Sequence, residues 1–255
     1  MSTPRAVAVV GFKGAGKTQV VEALVSELTR RGLKVGTLKH ASRTHLPDTP
    51  GKDTYRHREA GSVASAILTS ESTAIFLNHP VRVAEAVDKL GALDIVIIEG
   101  FKSMDAVTRI IVPRSEEDVE ALKNGLEIAI STPSDEGLSI GEVPLIPLSR
   151  VEELADLVES KAFPMLPGLN CGGCGYENCR ELAQAILAGE AEADRCVNYW
   201  SGAVRLKVND VSVAMNPFVQ DIVKNVVLGM VHTLRGVDDP RRVELSFDLG
   251  GTEHG

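Results

Sequence analysis

GFKGAGKT, residues 11–18, stands between RAVAVV (5–10) and TQVVEALVSELTRRG (18–32). The first flank is a run of small and β-branched apolar residues, as in a buried strand. The second carries Val21, Leu24, Val25 and Leu28 on one helical face, with Gly32 as its stop. The octapeptide itself reads glycine, four residues, glycine, lysine, threonine, which is the phosphate-loop pattern in the strand–loop–helix setting that gives it meaning. A glycine-rich turn there points successive backbone N–H groups, and the positive end of the helix, at an anion. Gly11, Gly14 and Gly16 let the backbone close around it, and Ala15 and Gln19 complete the stretch expected to line the phosphates. Lys17 is expected to neutralise the β- and γ-phosphate oxygens, and the Thr18 hydroxyl to bind Mg²⁺.

Outward from the loop, short apolar runs alternate with amphipathic stretches. KVGTLKH (34–40), ASAILTS (64–70), TAIFLN (73–78), LDIVIIEG (93–100), TRIIVP (108–113) and EIAIS (127–131) read as strands. TYRHREAG (54–61) and PVRVAEAVDKL (80–90) read as helices. This order predicts an α/β fold with a mainly parallel sheet covered by helices on both faces. A metal-bound nucleotide also needs an acid at the carboxyl end of a neighbouring strand, and Glu99 closes LDIVIIEG at that edge. Asp94, at the other end, reads as a capping or surface group. The loop SRTHLPDTPGKD (42–53) reaches the same edge, so Asp48, Lys52 and Asp53 are candidate contacts to Mg²⁺ or phosphate; a solvated polar loop is the alternative. His40 and His45 carry no such signal.

The chain of 255 residues is 44% hydrophobic and 24% charged, which describes a folded globular protein rather than a disordered or membrane-spanning one. No apolar run approaches the roughly 18 residues of a spanning helix, and MSTPRAVAVVGF reads as strand and turn without a signal-peptide core, so a cytoplasmic address is expected. With 27 Lys and Arg against 35 Asp and Glu, a net charge of −8, and no basic cluster, a nucleic-acid surface is not expected.

All four cysteines are confined to one region: CGGCGYENC (171–179) holds three, and Cys196 follows. The intervals between Cys171, Cys174, Cys179 and Cys196 are two, four and sixteen residues. A disulfide staple, a zinc site and an iron–sulfur cluster compete. A reducing compartment disfavours the first, zinc ribbons present two close pairs, and a cubane takes three ligands from one loop and one from a distance. A [4Fe–4S] cluster on Cys171, Cys174, Cys179 and Cys196 is therefore the expectation. Glycines 172, 173 and 175 leave room for N–H···S contacts, and ENCRELAQAILAGE (177–190) is a helix that returns the chain toward Cys196. The segment resembles the small four-iron domain of several electron-transfer and corrinoid proteins, with its CxxCG, xxxC and AxxIxxGE elements.

GFKGAGKT, VGTLKH, DTPGKDTYRHREAG and DIVIIEGFK, in that order over roughly residues 5 to 160, resemble the molybdopterin-guanine dinucleotide biosynthesis protein B family, MobB. The resemblance implies a P-loop GTP-binding protein with weak GTPase activity. It further implies a homodimer that assists nucleotide attachment to the molybdenum or tungsten cofactor, with that cofactor or its biosynthetic proteins as partners. By position it carries over Lys17 and Glu99 as the catalytic pair, Thr18 and Glu99 as Mg²⁺ ligands, and Gly51, Lys52 and Asp53 as an active-site loop. Two features depart from it. No Asn-Lys-x-Asp sequence reads guanine, leaving Asp135 as a candidate purine contact, and a tail follows residue 165. A nucleotide-gated electron-transfer protein is the alternative function.

Three parts are expected. Residues 1–162 form the nucleotide domain; residues 163–202, entered through the linker FPMLPGLN, form the cluster domain, packed by Trp200; residues 203–255 form an α+β region. The last is expected to hold a hairpin at Asn209-Asp210, a helix (217–236) whose wide apolar stripe reads as core, with a partner-binding face as the alternative, a strand RVELSF (242–247) and a frayed end.

Overall fold

The computed structural model describes residues 3–41, 48–133, 143–198, 204, 206–208, 211–213, 215, 217–237, 240 and 243–247. Its central sheet follows the order β2 (Val35–Lys39), β5 (Ile95–Glu99), β1 (Arg5–Val10), β6 (Thr108–Ile111), β7 (Glu127–Ile130), all parallel. The apolar strands read as continuous runs because both faces are covered. Val7 and Val9 of β1 face one core with Leu24 and Leu28 of α1 (Lys17–Arg30) and Leu154 and Val158 of α5 (Val151–Lys161). Ala6, Ala8 and Val10 face the other, with Val87 of α3 (Val83–Lys89) and Val119 and Leu122 of α4 (Glu116–Leu122).

The structure departs from these expectations at several points. The strands β3 (Ala64–Leu68) and β4 (Thr73–Leu77) stand outside the main sheet as an antiparallel hairpin of their own, because a connection as short as residues 69–72 cannot make the crossover that parallel strands need. Ile67, Leu68 and Ile75 of this hairpin are exposed. The helices α4 and α5 were not read from the sequence. Ser115 caps α4 by accepting from Asp118 N, a Ser-x-x-Asp signal, and the 3–4 spacing of Leu154, Ala155 and Val158 marks α5. The expected linker is packed: β6 begins its pairing with β1 only at Val7, and β8 (Phe163–Pro164) completes β1 by pairing antiparallel with Arg5 and Ala6.

The boundary expected at 162 is therefore not where the packing divides. Phe163, Leu166, Cys179, Leu182, Ala183 and Cys196 share one core with Ala106 and Leu126. The compact units are Met1–Tyr199 and Trp200–Gly255. In the second unit, β9 (Leu206–Val208) pairs antiparallel with β10 (Val211–Val213). Phe218, Ile222, Val226 and Met230 of α7 (Pro217–Val231) are exposed rather than forming a core, and residues 243–247 form no strand. The expected turn at Asn209-Asp210, Trp200 and the frayed end lie outside the described residues.

Helix α1 is tied to α5 by charge. The buried Glu27 accepts from Arg30 Nε at 2.8 Å and Arg31 Nε at 2.7 Å, while Arg31 Nη1 reaches Asp156 at 2.6 Å. Hydrogen bonds from Arg30 and then Arg31 hold the Glu27 carboxyl at about 2, against an ordinary 4.5. A depressed carboxyl pKa stabilises the fold above its unfolded value, and that contribution is lost as pH falls through the folded value. Glu27→Gln is thus expected to lower the urea midpoint relative to the wild type above pH 4.5, with the difference closing as pH approaches about 2. A pH-independent difference would contradict this origin.

Candidate functional site

The phosphate loop spans the gap between β1 and α1, and contacts too close for a side chain fix its shape. Gly16 sits at φ 91°, where a Cβ would lie 2.5 Å from Pro133 Cγ; a Cβ on Gly11 would lie 2.4 Å from the Val112 carbonyl. Ala15 is buried against the core, and Gln19 is exposed on α1. No side chain caps the start of α1 at Gly16, so its first-turn N–H groups are directed to whatever the loop holds. Lys17 Nζ donates to the Phe12 carbonyl at 2.7 Å. Burial lowers the Lys17 pKa; Glu99 opposes that, and the charges of Lys102, Lys39 and Arg114 add to it. Lys102 Nζ lies 3.6 Å from the centre of the Phe12 ring and the Arg114 guanidinium 5.3 Å.

At the carboxyl edge, β5 pairs Glu99 with Val9 on one side and Lys39 on the other. Glu99 Oε1 accepts from Thr18 Oγ1 at 3.0 Å and meets Lys39 Nζ at 2.9 Å; Lys39 Nζ also stands 3.5 Å from Thr18 Oγ1. Thr18, Glu99 and Lys39 thus converge on one point. Because a cation already rests against the hydroxyl and the carboxylate, the pair suits a small hard cation such as Mg²⁺.

The 48–53 segment is arranged differently from its sequence reading. Asp48 is buried, accepting from Thr54 Oγ1 at 3.0 Å and pairing with Arg58 Nη1 at 3.3 Å, so it anchors the loop to α2 (Asp53–Glu59) instead of facing a metal. Gly51 and Lys52 are exposed just before α2, and Asp53 opens it with its side chain exposed. No described hydrogen bond or ion pair joins Asp53 to the phosphate loop. His45 and Asp135 lie outside the described residues. His40 packs at a tilt against Phe101, ring centres 4.7 Å apart, a structural contact. Asp94 accepts from Lys34 N at 2.7 Å, a capping role.

Sequence reasoning missed Lys39, Lys102, Arg114 and Phe12 as neighbours of this site. A signal existed for Lys39, since two strands ending at one edge bring their last residues side by side. Arg109 was missed too. It is 2% exposed inside β6, its guanidinium donating to the Leu122 carbonyl at 2.7 Å and to the Met104 carbonyl, and a charge inside an apolar strand was the available sign.

The cysteine segment packs at the opposite, amino edge of the sheet, against the entrances to β6 and β7. Cys179 opens α6 (Cys179–Ala188), which Asn178 caps by accepting from Glu181 N at 3.0 Å. Asn170 N donates to Cys179 Sγ at 3.4 Å and Asn198 Nδ2 to Cys171 Sγ at 3.1 Å. All four thiols are free; Cys179 and Cys196 are buried, and Cys171 is exposed. Burial pushes the Cys196 thiol up to about 11, with Cys179, Cys174 and Cys171 adding to the shift. An all-sulfur donor set with N–H groups aimed at sulfur fits an iron–sulfur centre. Among the described residues no three His, Cys, Asp or Glu side chains converge as a metal site.

One segment links the two edges. Parallel β5 and β6 oblige residues 100–107 to cross from the carboxyl to the amino end of the sheet. On the way Phe101 adopts φ 53° and Phe101 and Met104 pack into the α3–α4 core. Asp105 then pairs with Arg180, next to Cys179, at 2.7 Å, and the Ala106 carbonyl accepts from Leu166 N at 3.3 Å.

Fold and site together define a P-loop α/β nucleotide-binding protein extended by a cysteine centre. Residues 6–132 match the family model for molybdopterin guanine dinucleotide synthesis protein B, MobB, and the chain belongs to that family. Residues 166–197, holding all four cysteines, match the model described as "Putative Fe-S cluster". The Haemophilus influenzae molybdopterin-guanine dinucleotide biosynthesis adapter protein is 30% identical over 157 residues, 60% of this chain and 86% of that one. A Methanocaldococcus jannaschii protein described as "Putative molybdopterin-guanine dinucleotide biosynthesis adapter protein" is 29% identical over 247 residues, 96% of this chain and 98% of its own. That similarity extends through the cysteine segment into the C-terminal region. The crystal structure of Bacillus subtilis MobB is similar over 62% of this chain and 98% of its own, with 27% identity and a TM-score of 0.53.

Proposed function

We propose that this protein is a GTP-binding adapter for nucleotide attachment to the molybdenum or tungsten cofactor, with a [4Fe–4S] cluster held by Cys171, Cys174, Cys179 and Cys196. The observation that carries the reading is the Thr18–Glu99 contact at 3.0 Å beside the phosphate loop, in a chain of the MobB family. Lys17 and the N–H groups of α1 bind the β- and γ-phosphates, with Gly11, Gly14, Ala15, Gly16 and Gln19 shaping the wall and Asp53 approaching from its loop. Thr18 and Glu99 hold Mg²⁺, which would neutralise charge on the phosphate oxygens. Lys17 and Glu99 form the catalytic pair of a slow GTPase. The cluster would supply one-electron chemistry or lock the segment that holds it.

The partners are the molybdopterin cofactor or the proteins that build it. Two chains associate as a homodimer, a reading supported by the exposed apolar side chains of the β3–β4 hairpin. A cytoplasmic location accompanies this role; no helix among the described residues is long and apolar enough to cross a membrane. The divisions at 162 and 202 are then functional, separating nucleotide, cluster and tail chemistry within a differently packed molecule.

The test is a reaction of molybdopterin, GTP and a guanylyl-transferring enzyme, run with and without this protein. Greater yield of the dinucleotide cofactor is expected; no stimulation, or ATP bound more tightly than GTP, would reject the reading. Glu99→Gln is expected to hold GTP within about threefold of the wild-type affinity and to slow Mg²⁺-dependent hydrolysis by about tenfold or more, because the amide keeps the shape and loses the charge that holds the metal. Equal hydrolysis rates would exclude Glu99 as a metal ligand.

A second reading, nucleotide-gated electron transfer at the cluster, draws support from the crossing segment at residues 100–107, which begins beside Glu99 and ends on Arg180 and Leu166. A cluster potential that moves on GTP binding would favour it over the adapter reading.

A further inference from the structure

Strands β2 and β5 run parallel in a register that sets Lys39 directly beside Glu99. Both residues end their strands, so both side chains belong to the carboxyl edge where Thr18 lies in the first turn of α1. The Lys39 side chain is 58% exposed and that of Glu99 only 12%. Its ammonium nevertheless leans onto the edge, 2.9 Å from Glu99 Oε1 and 3.5 Å from Thr18 Oγ1. Glu99 is its one partner among the described ion pairs.

Those two oxygens are also the ones that Mg²⁺ needs. The metal binds oxygen at about 2.0–2.1 Å and demands an ordered shell, so a metal on Thr18 and Glu99 would lie roughly 3 Å from the ammonium if Lys39 stayed. Two cations at that separation repel by several-fold more than the exposed ion pair gains. Lys39 therefore leaves when the metal arrives, and its flexible four-carbon stem keeps it at the same edge. The positive groups there are Lys17, Lys102, Arg114 and Lys39; the acids facing them are Glu99 and Asp118, and Asp118 is held by Arg114 at 2.9 Å. The phosphate chain of a nucleotide is then the anion within reach of a displaced Lys39.

We propose that Lys39 is a built-in counter-ion of the Thr18–Glu99 pair, which Mg²⁺ displaces and which then pairs with the nucleotide phosphates. It is a positioning residue for the site, and the inference rests on the nucleotide-binding reading above. With the metal absent, Lys39 masks the Glu99 carboxylate, so the phosphates are not repelled. With the metal present, Lys39 adds charge to the phosphate side. The first effect raises the affinity of the metal-free site and so makes nucleotide binding less dependent on Mg²⁺; the second supports the metal-bound complex.

The experiment compares the affinity for a fluorescent GTP analogue in excess Mg²⁺ and in EDTA, for the whole chain and for Lys39→Met, Lys39→Arg and Glu99→Gln. The ratio of the two dissociation constants is expected to rise about tenfold in Lys39→Met, because the bare carboxylate then opposes metal-free nucleotide. Lys39→Arg should bring the ratio back toward the wild type, and the Lys39→Met/Glu99→Gln pair should fall to the ratio of Glu99→Gln alone. A ratio in Lys39→Met within about twofold of the wild type, with both constants shifted equally, would overturn the proposal and leave Lys39 a structural residue. A wild-type chain that binds the analogue in neither condition would overturn both this proposal and the nucleotide-binding reading.

Discussion

Substituting alanine for any one of Cys171, Cys174, Cys179 or Cys196 should empty the cysteine centre: iron and acid-labile sulfide fall from about four per chain to below one, and the brown absorption is lost. The expectation rests on the donor set proposed above, since four thiolates would supply one ligand to each iron and the chain has four cysteines in all. Cys179 carries a second cost. It is 7% exposed, packs with Leu182 and Ala106, and accepts from Asn170 N, so Cys179→Ala also loosens the segment from 166 to 198. Cys171 is exposed, and its variant separates loss of the cluster from loss of packing. GTP affinity should stay within about threefold, because the phosphate loop is at the carboxyl edge of β1 and the cysteine segment at the amino edge. Anaerobically prepared wild-type protein with about one zinc per chain and no sulfide would reject the assignment.

Lys17→Ala is expected to weaken nucleotide binding by about 100-fold, or roughly 3 kcal/mol, the scale for removing one partner of a desolvated charge-assisted contact. Lys39, Lys102 and Arg114 act on Lys17 through space, yet none of them belongs to the loop, so they soften the loss without replacing the contact. The substitution leaves the fold intact, since the Nζ hydrogen bond it removes goes to a carbonyl of the same loop, Phe12 at 2.7 Å. Titration of the purified variant with a fluorescent GTP analogue measures the change. An affinity within about threefold of the wild type would take Lys17 out of the phosphate site.

The local pattern carried a long way. β1, α1, β2, β5, β6 and β7 fall where apolar periodicity predicts them, because a strand buried on both faces and a helix with one apolar face leave different periods in the chain. The hairpin β3–β4 shows the limit of that reasoning. Its segments have strand composition, but a strand's sheet is chosen by partners, and here the short connection forces self-pairing. The linker 163–170 shows another: proline and glycine marked a loop, whereas the open start of β1 and the third core drew Phe163 and Leu166 inward. In α7 the apolar stripe read as core is exposed, since an amphipathic period says that a face is apolar and not what covers it.

The phosphate loop with its helix, the acid at the end of β5 and the four clustered cysteines are legible in the chain without its fold. In each case the chemistry is set by neighbours a few residues apart, through backbone direction, strand polarity or ligand spacing. Packing alone reveals that Lys39 rests on Glu99, that Asp48 turns inward to Arg58, and that residues 100–107 join the nucleotide edge to the cysteine segment. Those contacts follow from strand order, register and the crossover between parallel strands, which bring together residues far apart in the chain and leave no local period to read.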